Sequence, residues 1–222
     1  RYWASAMNKR LIVWLVASIV AAVLPLIFKQ SFALSLFCQM GINIIFALSY
    51  NMLLGQTGLL SFGHAVYFGL GAFFSIHALN MITAGTLSMP VSLLPVIGGL
   101  TGLLFGVLFG YVSTKRSSLG IGELVAACSL MFTAFFGGEQ GISGNRVAGA
   151  KTFGISFGPQ IEVYYLIAIW AIICAALMYA LTKTPLGRMS NAVRDNAERA
   201  QFVGYNPQYV RYFILILASG FA

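Results

Sequence analysis

The sequence predicts an all-α fold, a polytopic bundle of about seven transmembrane helices. Hydrophobic residues make up 59% of the 222 residues and charged residues only 8%, whereas a soluble domain carries about 25% charged residues. A chain with so little charge cannot cover a water-facing surface. Its apolar residues also fall into long runs, most of which reach the roughly 20 residues needed to cross a bilayer. Residues 1–222 are therefore expected to form one transmembrane domain.

Seven apolar segments are the candidate spans, and polar or charged residues separate most of them. The first six are long enough to cross the hydrocarbon core as a helix. The seventh reaches only about half that length before Ala222, so we expect the natural chain to continue. The segments are Leu11–Phe28, Ala33–Leu54, Ser61–Leu79, Pro90–Ser113, Leu119–Phe136, Ile161–Leu181 and Tyr212–Ala222.

The basic residues predict the orientation of these spans, because cytoplasmic loops carry an excess of lysine and arginine. With a cytoplasmic N-terminus, three of the 13 basic residues are external, namely Lys29, Arg146 and Lys151. The cytoplasmic ones are Arg1, Lys9, Arg10, Lys115, Arg116, Lys183, Arg188, Arg194, Arg199 and Arg211. The opposite orientation would invert this bias. Because the basic residues are scattered between apolar runs, the net charge of +8 does not indicate nucleic-acid binding.

The fourth span carries a regular series of glycines. Residues four apart lie on one face of a helix, and a glycine face lets a second helix approach closely. We therefore expect this face to pack against another span, although it indicates nothing about a substrate. The series is Gly98, Gly102, Gly106 and Gly110.

Between the second and third spans, glycines and polar residues interrupt the apolar sequence. One interpretation is an ordinary cytoplasmic turn. The other is a broken helix that lines a transport path, since non-helical backbone at the membrane is tolerated where protein buries it or where it lines a cavity. His64 by itself is expected to be a hydrogen-bonded packing residue. On the second interpretation the pathway candidates are Gln56, Thr57, Ser61 and His64.

A carboxylate within the fifth span is a further pathway candidate. Charged residues inside a span are costly and mark functional positions, and Glu123 is such a residue. The alternative is that Glu123 lies near the cytoplasmic end and pairs with Lys115 or Arg116. The glycine-rich loop that follows, Gly137–Gly158, is predicted to be an external docking or gating surface.

The segment from Thr184 to Gly204 is predicted to form one amphipathic cytoplasmic helix. Thr184 suits the N-cap and Pro185 the first helical position, while Gly204 suits the stop. Such a helix either lies on lipid or docks on a partner, and Ala200, being small, is expected to allow a partner to approach closely. Charges spaced four apart can form stabilising pairs, Arg194 with Glu198 and Asp195 with Arg199.

Two of these regions resemble the permeases of bacterial ABC importers. Residues 55–65 read GQTGLLSFGHA, which is similar to the hallmark of branched-chain amino-acid permeases of the LivM type. Glu198, Ala200 and Gly204 match the E-A-A-x-x-x-G loop of ABC-importer permeases, and Arg199 departs from it. The stretch from Gly187 to Tyr205 also resembles the LivM type. The resemblance covers most of the chain from about residue 40 onward.

The resemblance implies a permease subunit of an ABC importer in the bacterial inner membrane, carrying branched-chain or other hydrophobic amino acids. The implied partners are a second homologous permease, two cytoplasmic ATPase subunits and a periplasmic binding protein. The 184–204 segment would be the coupling helix that docks on the ATPase. Its coupling residues would be Arg188, Arg194, Asp195, Glu198, Ala200 and Gly204.

No phosphate-binding P-loop sequence is present in the chain, so we expect the partner subunits to bind ATP. No enzymatic activity, cofactor or metal is expected in the chain itself. Related permeases that carry urea or short amides are an alternative. An ion-coupled secondary transporter is a weaker one, because Glu123 is its only intramembrane charge. A membrane-embedded enzyme would need a catalytic cluster, and the chain has two histidines, His64 and His77.

Overall fold

The structure is a computed structural model that describes residues 2–61, 63–115 and 160–222. Within these ranges every regular element is helical, which confirms the predicted all-α fold. A short 3-10 turn, Val91–Leu93, precedes the fourth α-helix. The α-helices are α1 (Tyr2–Ile27), α2 (Ser31–Thr57), α3 (His64–Thr83), α4 (Leu94–Lys115), α5 (Gln160–Lys183), α6 (Pro185–Asp195), α7 (Ala197–Phe202) and α8 (Pro207–Phe221).

Four helical segments in the described ranges are long and apolar enough to cross a membrane: Ser31–Thr57, His64–Ile82, Val91–Tyr111 and Gln160–Lys183. They match the second, third, fourth and sixth predicted spans. Helix α1 contributes a shorter apolar stretch, Ile12–Ile27. The fifth predicted span, with Glu123, and the Gly137–Gly158 loop lie outside the described residues. The polytopic bundle is therefore confirmed, while seven spans remain a prediction.

Several helices begin before or end beyond the apolar runs that predicted them. Helix α2 continues through Thr57 rather than stopping near Leu54, and α8 begins at Pro207 rather than Tyr212. The side chain of Asn206 accepts a hydrogen bond from the Gln208 N–H at 3.0 Å and so caps α8. An apolar run indicates which residues face lipid or the core, whereas the capping residues in the polar sequence on either side determine where the helix begins and ends.

Contacts between the helices bring the predicted cytoplasmic segments to one end of the bundle. At that end, Arg194 of α6 reaches the carbonyl of Gly55 in the last turn of α2. At the opposite end, Gln160 at the start of α5 hydrogen-bonds Ser31 at the start of α2. Helices α2 and α5 therefore run in the same direction, which is compatible with the predicted topology.

The main core lies where α2, α5 and α8 meet. Leu53, Leu215 and Ala218 are fully enclosed there, and Met178 of α5 packs against them. Helix α4 has an outer face on which large apolar residues such as Leu104 are exposed. An apolar outer face is unfavourable in water but suits a helix in lipid.

The glycine face of α4 contacts two helices. Gly102, Gly106 and Gly110 face α8, and a Cβ atom on Gly110 would lie 2.7 Å from Cδ2 of Leu215. Gly98 faces α3 instead, where a Cβ atom would lie 2.8 Å from Oγ of Ser75. The glycines therefore permit close approach on both sides of α4.

Candidate functional site

Helix α2 ends in an ordered turn at the first pathway candidates. Thr57 is fully buried, and its hydroxyl donates to the carbonyl of Leu53 at 2.5 Å. Gly58 follows with φ +67°, a left-handed conformation that favours glycine, and its N–H donates to the Leu54 carbonyl at 3.0 Å. The sequence left two interpretations open, an ordinary turn and a broken helix. The backbone conformation agrees with an ordinary turn that caps α2.

His64, the first residue of α3, is enclosed by the helices. Only 1% of its surface is exposed, and its Nε2 lies 3.0 Å from Oγ of Ser49. Ser49 donates its own proton to the Phe46 carbonyl at 2.7 Å, so its oxygen accepts the proton on Nε2. His64 Nδ1 is buried and has no hydrogen-bond partner within the described part of the chain. These contacts place His64 in the packing of α2 against α3.

The remaining pathway candidates do not converge with His64. Gln56 lines an open groove of about 420 Å³ between α1, α2 and α5. Its Oε1 atom is buried, with no hydrogen-bond partner in the described ranges. Ser61 lies in the connection between α2 and α3 and is half-buried. The polar residues of the 55–64 region therefore face different surroundings.

A larger cavity of about 590 Å³ lies between α2, α3, α4 and α5, beside the end of α8. Most of its wall is apolar, including Ile45, Phe68 and Trp170, and Ser75 supplies a hydroxyl. Sequence reasoning missed this cavity. The glycines of α3 and α4 are the sequence feature that could have indicated it, since Gly71 and Gly98 meet at the wall of the cavity.

The predicted helix from Thr184 to Gly204 is instead two helices, α6 and α7. Thr184 and Pro185 begin α6 as predicted, with Thr184 Oγ1 accepting from the Gly187 N–H at 3.4 Å. The helix breaks at Asn196, whose backbone is extended and whose Oδ1 accepts from the Arg199 N–H at 2.9 Å. Asparagine side chains compete for backbone groups in this way, so they favour caps over helix interiors.

The break at Asn196 also changes the ion pairs. Because α6 and α7 are separate, the expected pairs four residues apart are not formed among the residues that the structure describes. Arg194 instead pairs with the adjacent Asp195, with 3.1 Å between Nη2 and Oδ1. Its Nη1 donates to the Gly55 carbonyl at 2.5 Å, which ties α6 to the end of α2.

Gly204 ends α7 as a left-handed residue with φ +95°. The N–H groups of Gly204 and Tyr205 donate to the carbonyls of Gln201 at 2.9 Å and Ala200 at 3.0 Å, which is the Schellman arrangement. Ala200 is not available to a partner, contrary to expectation. It is 5% exposed and packs with Val193 and Val210 in the chain's own small core.

Five of the six predicted coupling residues are exposed, all except Ala200, and two large apolar side chains are exposed beside them. Arg188 and Glu198 are exposed, as a partner-facing role requires. The largest exposed apolar groups are Phe202 at 91% and Val203 at 74%. We call these two residues the apolar tip. The sequence did not indicate the apolar tip, because the break at Asn196 was not anticipated.

Comparison with known proteins gives a family match over residues 32–222, to the branched-chain amino acid transport system permease component. The high-affinity branched-chain amino acid transport system permease protein LivM of Salmonella typhimurium strain LT2 is 25% identical over 207 residues, covering 82% of this chain and 48% of that protein. LivM of Escherichia coli strain K12 is 25% identical over 209 residues, with coverage of 82% and 48%. This chain thus spans about half the length of these relatives.

No solved structure matches the chain significantly. The family match covers far more than half of the residues, and it includes both the 55–65 stretch and the α6–α7 segment. Multiple apolar helices agree with a membrane transport protein. The chain therefore belongs to the family of permease components of branched-chain amino acid transport systems.

Proposed function

We propose that this chain is a permease subunit of an ABC importer, and that it forms part of the translocation path for branched-chain or other hydrophobic amino acids. Separate ATPase subunits supply the energy, a second permease completes the path, and a periplasmic binding protein delivers the substrate. The family and the two LivM relatives support the class of transport system. The observation that carries the proposal is the apolar tip.

The apolar tip has the features of a docking point. A phenylalanine that is 91% exposed gains no stability within this chain, and exposed aromatic residues often anchor interfaces. Behind it, Ala200, Val193 and Val210 pack together and hold α7 against α6 and α8. A partner bound at the tip therefore meets a rigid support rather than a free loop. The partner that fits an energy-coupled importer is the ATPase at the cytoplasmic end.

The larger cavity supports the class of substrate. Its wall is mostly aliphatic and aromatic, and an apolar wall binds a branched aliphatic side chain better than a polar amide, because it offers burial without hydrogen bonds. This favours a hydrophobic amino acid over urea, the alternative substrate. Competition of leucine uptake by urea at equal concentration would support the alternative instead.

Changing Phe202 to glutamate is expected to abolish ATPase docking. A buried aromatic anchor contributes about 2 kcal/mol or more to an interface, and a carboxylate in its place would be desolvated without a partner. ATPase co-purification with the permease pair should fall at least about tenfold, since about 1.4 kcal/mol corresponds to one decade. ATP-dependent leucine uptake should fall with it.

The matched control is Gln201→Glu, which adds the same charge at the neighbouring exposed position of α7. This variant should keep ATPase association. Full association and uptake in the Phe202→Glu variant would mean that the tip lies on lipid and not on the ATPase. Uptake that needs a proton gradient but no ATPase would favour the ion-coupled transporter.

The orientation of the bundle can be tested by labelling, because the apolar tip must be cytoplasmic in an importer. In a chain with Cys38, Cys128 and Cys174 replaced, a cysteine at Gln201 should be protected from an impermeant thiol reagent applied outside. One at Thr86, in the exposed connection after α3, should react. The reverse labelling pattern would invert the topology.

A further inference from the structure

Arg194 makes a long-range contact that the coupling motif does not explain. The resemblance to LivM-type permeases placed this cation among the residues that would couple to the ATPase. Its Nη1 instead donates to the carbonyl of Gly55, 139 positions away in sequence, at 2.5 Å. Gly55 belongs to the last turn of α2, immediately before the turn that leads to α3.

The contact satisfies a group that α2 leaves open. The last carbonyls of a helix have no partner within it and carry partial negative charge. Leu53 and Leu54 receive hydrogen bonds from Thr57 and Gly58, and the Arg194 guanidinium supplies the donor for Gly55. A charged donor makes this a stronger bond than a neutral one.

Asp195 holds the guanidinium in place from the other side. Its Oδ1 accepts from Nε of Arg194 at 3.2 Å and from Nη2 at 3.1 Å. With two of its nitrogens bonded to Asp195, the guanidinium presents Nη1 to α2 in a defined direction. Arg194 thus bridges the end of α6 and the end of α2.

Gly58 lets α6 lie this close. A Cβ atom built on Gly58 would be 3.1 Å from Cγ and 3.8 Å from Cβ of Arg194. The same glycine has a left-handed backbone, φ +67°. The turn after α2 is therefore shaped both to end the helix and to receive the arginine.

The two ends of the bridge are each anchored in packed structure. On α6, Val193 and Ser190 are almost completely buried. On the other side, Thr57 is fully buried and Leu59 belongs to the main core. A displacement of α6 therefore reaches the α2–α3 junction through one hydrogen-bonded contact between two rigid parts.

We infer that Arg194 is a positioning residue that transmits movement of the 184–204 segment to the α2–α3 junction, and that it does not bind the ATPase. This inference rests on the proposed function, because the movement is the one that ATPase docking would produce. On this inference the 55–58 stretch has a mechanical role, because it is the part of the bundle that moves when the coupling segment moves.

The first experiment compares Arg194→Met with Lys183→Met in the assembled transporter, reconstituted in proteoliposomes. Lys183, in the last turn of α5, provides a matched loss of one positive charge at the same end of the bundle. Arg194→Met should keep ATPase association within about twofold, whereas leucine transported per ATP hydrolysed should fall about tenfold, the scale of one lost charge-assisted hydrogen bond. Lys183→Met should keep the wild-type ratio.

The second experiment replaces the hydrogen bond by a covalent one. In the cysteine-free chain, Gly58→Cys with Arg194→Cys should form a disulfide readily, because the Cβ atoms are 3.8 Å apart. The oxidised protein should recover most of the transport per ATP that its reduced form lacks. Gly58→Ser carries the same backbone strain and controls for it.

The outcomes separate the inference from the proposed function. An unchanged transport ratio in Arg194→Met overturns the inference, as does loss of ATPase association in that variant, since this would put Arg194 at the ATPase interface. Failure of the cysteine pair to cross-link, or to restore transport when oxidised, also overturns it. Absence of ATP-dependent uptake in the wild-type assembly would refute the proposed function itself.

Discussion

Replacing Gly102 by leucine is expected to prevent the bundle from assembling. A Cβ atom at this position would overlap the main-chain oxygen of Ser219 and would lie 2.9 Å from its carbonyl carbon and 3.3 Å from Cα of Gly220. These are backbone atoms of α8, so no rotamer change can relieve the clash. Overpacking of this kind costs about 3 kcal/mol or more when the backbone must shift.

The measurement is the yield of monodisperse protein in detergent, with the thermal midpoint of whatever protein is recovered. Val107→Leu is the control, because Val107 is 49% exposed on the outer face of the same helix and can accept one more methylene. It should behave like the wild type. Equal tolerance of the two leucines would show that α4 does not pack on α8 through its glycine face.

Adding one methyl group at Gly187 is expected to release the 184–204 segment from the bundle. Only Thr184 separates α5 from α6, and a Cβ atom on Gly187 would lie 2.5 Å from the Leu181 carbonyl oxygen and 2.8 Å from Cα of Thr182. Alanine therefore forces the turn open, at a cost of about 3 kcal/mol. Because α6 supports the apolar tip through the packing of Val193 with Ala200, ATPase association should be lost.

Limited trypsin digestion detects this release, since cleavage after Arg188 and Arg194 requires local opening of α6. Digestion of Gly187→Ala should be at least about tenfold faster than that of the wild type, because the clash raises the population of the opened form that trypsin cleaves. Gly69→Ala is the control, as no atom lies within 4 Å of its Cβ position. A helical alanine there should stabilise by about 0.5–1 kcal/mol. Similar digestion of both variants would contradict the tight α5–α6 turn.

Local chemistry allowed much of the architecture to be predicted from the sequence. Apolar runs of membrane-spanning length indicated α2, α3, α4 and α5, because a segment in lipid must form all its backbone hydrogen bonds internally, as a helix does. The caps at Thr184 and Gly204 were also predictable, since each depends on its own side chain or φ angle. The glycine series of α4 predicted close helix contact from spacing alone.

Tertiary structure decided which residues of the 184–204 segment face outward. Asn196 is compatible with a helix interior or a cap by sequence, and only the packing of α6 and α7 around Val193, Ala200 and Val210 selects the cap. That break buries Ala200 and exposes Phe202. A motif match records residue types, but it does not record the helix face that each residue occupies.

The partner of Arg194 depended wholly on the fold. Sequence spacing offered Glu198, four residues away, but a helix break removed that pair and α2 supplied the Gly55 carbonyl instead. No local pattern predicts a contact with a backbone group 139 positions away, because main-chain carbonyls are the same in every residue. The sequence determined that a membrane bundle with a polar connecting segment would form, and only the packing of that segment on α2 decided how the two are joined.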